Sequence, residues 1–293
     1  MNARTPYGSP STPERNGRAR TRRAAGRIPD GGPIPGRHQR RSRAALPVAA
    51  LTLAAVAATA GCSTLTDVTS PADAREAAAA ESGTVLVADT VNCVTDQCVA
   101  LTFDGGPSEP TPDLLDLLLE EDVPVTFFLE GDGHVDTYPE TVVRMVEEGH
   151  EIANHTWNHP VLTDLTEAEI RAEIEPLQEL IEEITGITPD LMRPPQGRTS
   201  DEVSEIMRDL GLAQILWSVT AKDYETTDTE LIVERVLDGA ERDGVILLHE
   251  RYAGTIPAVP EIITELRARG YTFVTVSQLM APAVPEPGAV YRP

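Results

Sequence analysis

The chain has 293 residues, enough for one large domain or two small ones, and its residues are 41% hydrophobic but only 4% aromatic, so its core must be built mainly from Val, Leu, Ile and Ala. The net charge of −23 divides unevenly: residues 1–43 carry +9, with eleven Arg against Glu14 and Asp30, and the remainder carries −32. A body this acidic, with Lys222 as its one lysine, excludes nucleic-acid binding through a basic face and leaves the acidity as solvated surface.

Residues 1–43 are rich in Arg, Pro and Gly and lack hydrophobic periodicity, so they read as disordered or as a long basic n-region. Ala44 to Gly61 is an uncharged apolar run of eighteen residues interrupted by Pro47, ending in Thr59-Ala60-Gly61-Cys62-Ser63. Small residues before a cysteine resemble a bacterial lipobox, in which Cys62 becomes the acylated N-terminus, although Thr59 stands where Leu is usual. A cleaved secretory signal and an uncleaved membrane anchor are the alternatives, since the run is just long enough to span a bilayer. Each places the body outside the cytoplasm, and the lipid-anchor reading makes it a cell-membrane lipoprotein. Residues 63–83 read as a flexible tether, residues 84–285 as the folded domain and residues 286–293 as a Pro-rich tail. In an oxidising compartment Cys93 and Cys98 should close a short loop as a disulfide; no second cysteine pair completes a metal site.

Within the domain, apolar runs alternate with amphipathic ones. Val99–Phe103 predicts a strand, Pro112–Glu121 a helix with Leu114, Leu115, Leu118 and Leu119 inward, and Val125–Leu129 a strand. Tyr138–Glu148 predicts a helix capped at Gly149, and Glu151–Asn154 a short strand. Thr166–Thr185 is a long acidic helix that opens with a capping box and stops at Gly186. Strands follow at Asp190–Arg193, Ala213–Val219, Gly244–His249 and Tyr271–Val276, with helices over Asp201–Leu210, Thr229–Ala240, Ile256–Arg269 and Ser277–Met280. Seven strands alternating with helices predict a parallel α/β sheet, open or closed. No glycine-rich nucleotide fingerprint follows any strand.

Chemistry-bearing residues gather after these strands. Thr102-Phe103-Asp104-Gly105-Gly106-Pro107 ends the first, and Asn154-His155-Thr156-Trp157-Asn158-His159-Pro160 follows the third. Taken alone, Asp104 could simply form a turn before two glycines, and Arg193 could be a salt bridge at the sheet rim. His155 and His159 are spaced i, i+4. On a helical turn that spacing puts two imidazoles on one face, where they could hold a divalent metal; alone, they could equally be surface residues beside a proline. With Arg193-Pro194-Pro195-Gln196-Gly197, Trp217-Ser218-Val219-Thr220-Ala221-Lys222-Asp223-Tyr224 and Leu247-Leu248-His249, these make five motifs in order across residues 99–249.

Together the five resemble the polysaccharide deacetylases, the NodB-homology domain of carbohydrate esterase family 4. The resemblance implies an incomplete seven-stranded (β/α) barrel with its site at the strand C-terminal ends. It implies metal-assisted hydrolysis of an N-acetyl amide on a GlcNAc- or MurNAc-containing cell-wall polymer. His155 and His159 would hold the metal, most naturally zinc, and Asp104 would be the general base. Arg193 would pair with that base through a charge-assisted hydrogen bond. Asp223 would orient His249, the general acid, and raise its pKa. Pro194, Gln196 (through its backbone amide), Trp217, Tyr224 and Leu247 would border the substrate, Leu247 in the acetyl pocket. Gln196 stands where the family usually has an aromatic, Tyr224 where it has Trp, and Thr220 where it has Asp.

The first motif departs from the family more seriously. There it usually reads Thr-Phe-Asp-Asp-Gly-Pro, and the second Asp is a metal ligand; here that residue is Gly105, which has no donor atom. Three outcomes follow: water or Asp104 takes the vacant position and cripples the enzyme, Glu130 or Asp132 substitutes from the next strand, or the chain binds glycan without hydrolysing it.

Overall fold

The computed structural model describes residues 68–82 and 91–293; the apolar run 44–61, Cys62 and residues 83–90 lie outside them. The long central strand is β2 (Gln97–Gly106), which follows two short N-terminal elements, β1 (Val68–Thr69) and α1 (Pro71–Ser82). Then come α2 (Thr111–Glu121), β3 (Thr126–Leu129), α3 (Pro139–Glu147), β4 (Glu151–Asn154), α4 (Glu167–Thr185), β5 (Leu191–Met192), α5 (Asp201–Asp209) and β6 (Ala213–Ile215). The C-terminal part adds β7 (Val219–Thr220), α6 (Thr229–Gly239), β8 (Gly244–Leu248), α7 (Thr255–Ala268), β9 (Tyr271–Val274), α8 (Val276–Met280) and β10 (Val290–Tyr291).

Among the described residues the strands form one parallel sheet in the order β1-β10-β6-β5-β4-β3-β2-β8-β7, with β9 also on β2. It is the incomplete barrel that the family resemblance implies, where the strand pattern alone left the sheet open or closed. The expected strand over 213–219 is broken in two for a reason visible in its hydrogen bonds. Leu216 N–H donates to Tyr291 O, and two residues later Ser218 N–H donates to Val245 O. The chain thus leaves the β10 side of the sheet and joins β8, so the two margins are linked by backbone and not by a continuous ladder.

Period-two alternation along β2 sorts its side chains. Val99, Leu101 and Phe103 pack with Leu114, Leu115 and Leu118 of α2 and with Ile262, Ile263 and Leu266 of α7. Each such fully buried side chain contributes about 1.5–3 kcal/mol. Leu119, expected inward, is exposed, so the buried stripe of α2 is narrower than its leucine run. On the inner face the residues are smaller, with Ala100, Ala153 and Ala213 beside Phe128 and Val245. Thr102 and Asp104 of β2 alternate onto this inner face, which is how a strand otherwise made of core residues carries an acid into the barrel.

The tether and the tail need correction. Residues 68–82 are β1 and α1, packed on the domain: Arg75 is buried, pairs with both carboxylate oxygens of Asp243 at 2.9 Å and donates to Leu279 O at 3.0 Å. Residues 290–291 are β10, paired in parallel with β6 on one side and β1 on the other. Cys93 and Cys98 form the expected disulfide. Among the described residues no helix is long and apolar enough to cross a membrane.

Candidate active site

Every candidate site residue sits at or just beyond a strand's C-terminal end: Asp104 near the end of β2, His155 after β4, Arg193 and Pro194 after β5, Trp217 after β6, Asp223 and Tyr224 after β7, and His249 after β8. Leu247 lies inside β8 and is buried.

Asp104 and Arg193 form one buried unit. Arg193 Nη1 donates to Asp104 Oδ1 at 2.6 Å and to Thr102 Oγ1 at 2.8 Å, and its Nε donates to Ile215 O at 3.0 Å. Its guanidinium lies 3.9 Å over the Phe128 ring and 5.6 Å from that of Trp217. An inward-facing arginine is affordable here because Asp104 neutralises it and aromatic faces cover it.

His155 and His159 meet as expected, with ring centroids 4.9 Å apart, but not on a helix. They lie on the loop after β4, where Thr156 (φ +73°) and His159 (φ +57°) adopt left-handed conformations that turn both rings inward. Buried Asn154 pins this loop: its side chain accepts from Thr156 N–H at 2.8 Å and donates to Ile174 O and Gln178 of α4. His155 Nδ1 lies 2.7 Å from Arg193 O; a carbonyl only accepts, so Nδ1 carries the hydrogen. Burial lowers the His155 pKa to about 4, so the ring is neutral and its Nε2 presents a lone pair, 3.7 Å from Asp104 Oδ2. Burial likewise lowers His159, against the pull of the neighbouring Glu130 carboxylate. Two neutral, convergent imidazoles fit a divalent cation, with one nitrogen already fixed by a hydrogen bond on the far side of its ring. Among the described residues no three His, Cys, Asp or Glu side chains are already gathered as a cation cage.

On the other side stands His249. Its Nδ1 lies 2.9 Å from Asp223 Oδ1, and Asp223 Oδ2 accepts from His249 N–H at 2.6 Å and from Thr255 Oγ1 at 2.8 Å. Burial opposes charge on the imidazole, but the Asp223 hydrogen bond and the Asp104 and Asp223 carboxylates outweigh it, and the pKa is raised. Tyr224, half exposed, and Tyr252 flank the ring edge-on at 5.8 and 5.5 Å. Trp217 packs over Gly197, and Gln196 is exposed with φ +57°. The arrangement holds a carboxylate fixed by a guanidinium, an imidazole fixed by a carboxylate, and two further imidazoles in contact with each other.

The sequence reading missed two residues. Glu250 is buried beneath the glycine turn, and a β-carbon at residue 106 would collide with its carboxyl. The carboxyl fills the space a side chain at residue 106 would need, and burial pushes it up to about 7. Arg251 donates to Glu130 Oε2 at 3.2 Å and to Gly105 O at 3.4 Å. The only available signal was a pair of charged residues directly after His249. Of the two substitutes considered for the missing acid, Glu130 is buried beside Gly105 and Asp132 is exposed. A cavity of about 750 Å³ lies elsewhere, lined by α1, α5 and the C-terminal segment, and no site residue borders it.

Comparison with known proteins agrees with this fold. The sequence profile described as "Polysaccharide deacetylase" matches residues 91–215. The peptidoglycan-N-acetylmuramic acid deacetylase PdaC of Bacillus subtilis (strain 168) is 41% identical over 62% of this chain, which spans only 38% of that protein. A peptidoglycan-N-acetylglucosamine deacetylase of Bacillus cereus (strain ATCC 14579) is 34% identical over 63% of this chain and 89% of its own length. The solved structure titled "T48 deacetylase with substrate" is 39% identical, with a TM-score of 0.66 over 69% of this chain and all of that one. The chain belongs to the polysaccharide deacetylase family.

Proposed function

We propose that this protein removes N-acetyl groups from GlcNAc- or MurNAc-type cell-wall glycan by metal-assisted amide hydrolysis. The observation that carries the reading is the placement of the Asp104–Arg193 and Asp223–His249 pairs around the two neutral imidazoles. A divalent cation, proposed to be zinc, would be held by His155 and His159 and would supply Lewis acidity toward the acetyl carbonyl and the attacking water. Asp104, oriented by Arg193, accepts the water's proton. His249, kept charged by Asp223, gives a proton to the leaving amine. Leu247 lines the pocket for the acetyl methyl, the Gln196 backbone amide helps bind the oxyanion, and Pro194, Trp217 and Tyr224 border the sugar. The peptidoglycan deacetylases among the relatives support a peptidoglycan substrate. We also place the protein at the outer face of the cell membrane, anchored through a lipid on Cys62.

The test is acetate release from peptidoglycan and acetylated chitooligosaccharide by the full chain with added zinc, beside its G105D variant. Release by the parent, or by the variant alone, supports the reaction class; no release by either removes it. A second reading, a catalytically impaired glycan-binding member of the family, is favoured by Gly105 and by the guanidinium lying against it. It predicts that the parent retains insoluble peptidoglycan in a pull-down while only G105D releases acetate.

A further inference from the structure

The space beside Gly105 is already taken. A β-carbon at residue 105 would stand 3.2 Å from Glu130 Oε2 and 3.1 Å from Arg251 Cζ. Glu130 therefore brings its carboxylate to the region an aspartate at 105 would fill, entering from the neighbouring strand. The backbone makes this possible: Leu129 is the register partner of Gly106, across an irregularity in β2, and Glu130 N–H donates to Gly106 O at 3.0 Å. Glu130 is buried, and its charge acts on His159. A buried carboxylate needs a counter-cation, and Arg251 provides one, donating to Glu130 Oε2 while also reaching Gly105 O. Arg251 is only partly buried, so its guanidinium has a solvent side to move toward.

We propose that Glu130 is the anionic ligand that replaces the missing aspartate, and that Arg251 holds this carboxylate until a divalent cation displaces it. The proposal rests on the metal-dependent reading above and assigns its third ligand. With Glu130 tied to Arg251, the carboxylate left beside the imidazoles is Asp104, which Arg193 already holds. When a cation arrives, the carboxylate changes from one positive partner to another, so cation affinity is set by competition with a built-in guanidinium.

The experiment is calorimetric titration of the metal-stripped full chain with zinc, repeated with cobalt to read coordination from its visible absorption. The parent should bind one cation and show a four- to five-coordinate cobalt spectrum. E130Q should lose about 10-fold or more in affinity, D132N should not, and G105D/E130Q should recover it, which shows that the E130Q site is still folded. R251Q should bind more tightly than the parent. Parental affinity in E130Q, or binding by G105D but not by the parent, overturns the assignment of Glu130. Weaker binding in R251Q overturns the displacement, because Arg251 would then be orienting the carboxylate and not competing for it. Neither readout uses a glycan, so failure to find acetate release leaves the ligand assignment standing; parental affinity in E130Q overturns the ligand assignment alone, and no cation bound by the parent or by G105D overturns the metal-assisted reading with it.

Discussion

Asp223 holds His249 at two points: Oδ1 faces the ring Nδ1 at 2.9 Å, and Oδ2 accepts the same residue's backbone N–H at 2.6 Å. With Thr255 Oγ1 as a third donor, the carboxylate is surrounded by hydrogens, and an amide in its place would turn an NH2 toward at least one of them. D223N should therefore lower the His249 pKa below its raised native value, and the high-pH limb of activity should move to lower pH. Titration of the His249 ring by NMR in parent and variant checks this. An unchanged pKa would mean that the surrounding carboxylates, and not Asp223, maintain the charge.

Removing the proposed base, Asp104, should be far more costly than disturbing its surroundings. D104N should reduce kcat by roughly 10²- to 10⁴-fold, the usual range for positioned proton transfer. R193K should also lower kcat, because a point ammonium cannot reach Asp104, Thr102 and Ile215 O together. Steady-state kinetics on a soluble glycan oligomer separate these effects. A change confined to KM in either variant would assign the pair to substrate binding.

His150 makes a prediction about acid stability. Its Nδ1 accepts Val125 N–H at 3.3 Å, its buried Nε2 has no partner among the described residues, and its ring packs edge-on against Phe127. Burial lowers its pKa from 6.5 to about 4. The group is neutral in the folded state where the unfolded chain is protonated, so stability is fully present above pH 6.5 and falls as the pH drops toward 4. Over that window the loss is roughly 2–3 kcal/mol. Buried His155, also near 4, contributes with the same sign. Urea unfolding of H150F at pH 7 and pH 4.5 should show a smaller pH dependence than the parent; an equal dependence would assign the whole effect to other groups.

Arg75 anchors α1 through a part-buried pair, and R75A leaves Asp243 with Arg242 as its remaining ion-pair partner. The expected loss is about 1–3 kcal/mol in chemical denaturation, below that of an uncompensated buried charge. A loss under about 1 kcal/mol would mean that α1 contributes little to the folded state.

Local signals explain where the sequence was readable. The Thr166/Glu169 capping box forms as expected, and Gly186 stops α4 with φ +75°. The order of strand-end residues was enough to assemble Asp104, Arg193, Asp223 and His249. What escaped depends on contacts distant in sequence. β1 and β10 have two residues each and exist only because they pair with one another and with β6, and α1 is so rich in alanine that it shows hardly any apolar stripe. The i, i+4 spacing of His155 and His159 pointed to the right pair for the wrong reason, since two left-handed residues and not a helical turn bring the rings together. Arg251 was invisible because its meaning comes from a glycine 146 positions earlier.

The pairing of β1 with β10 also has a mechanical side. Any tension applied to the chain before Val68 meets a two-residue ladder first and then the Arg75–Asp243 clasp, both remote in sequence from the strand that carries Asp104. Such a pull is therefore met by β1, β10 and α1 before it reaches the strand that carries Asp104.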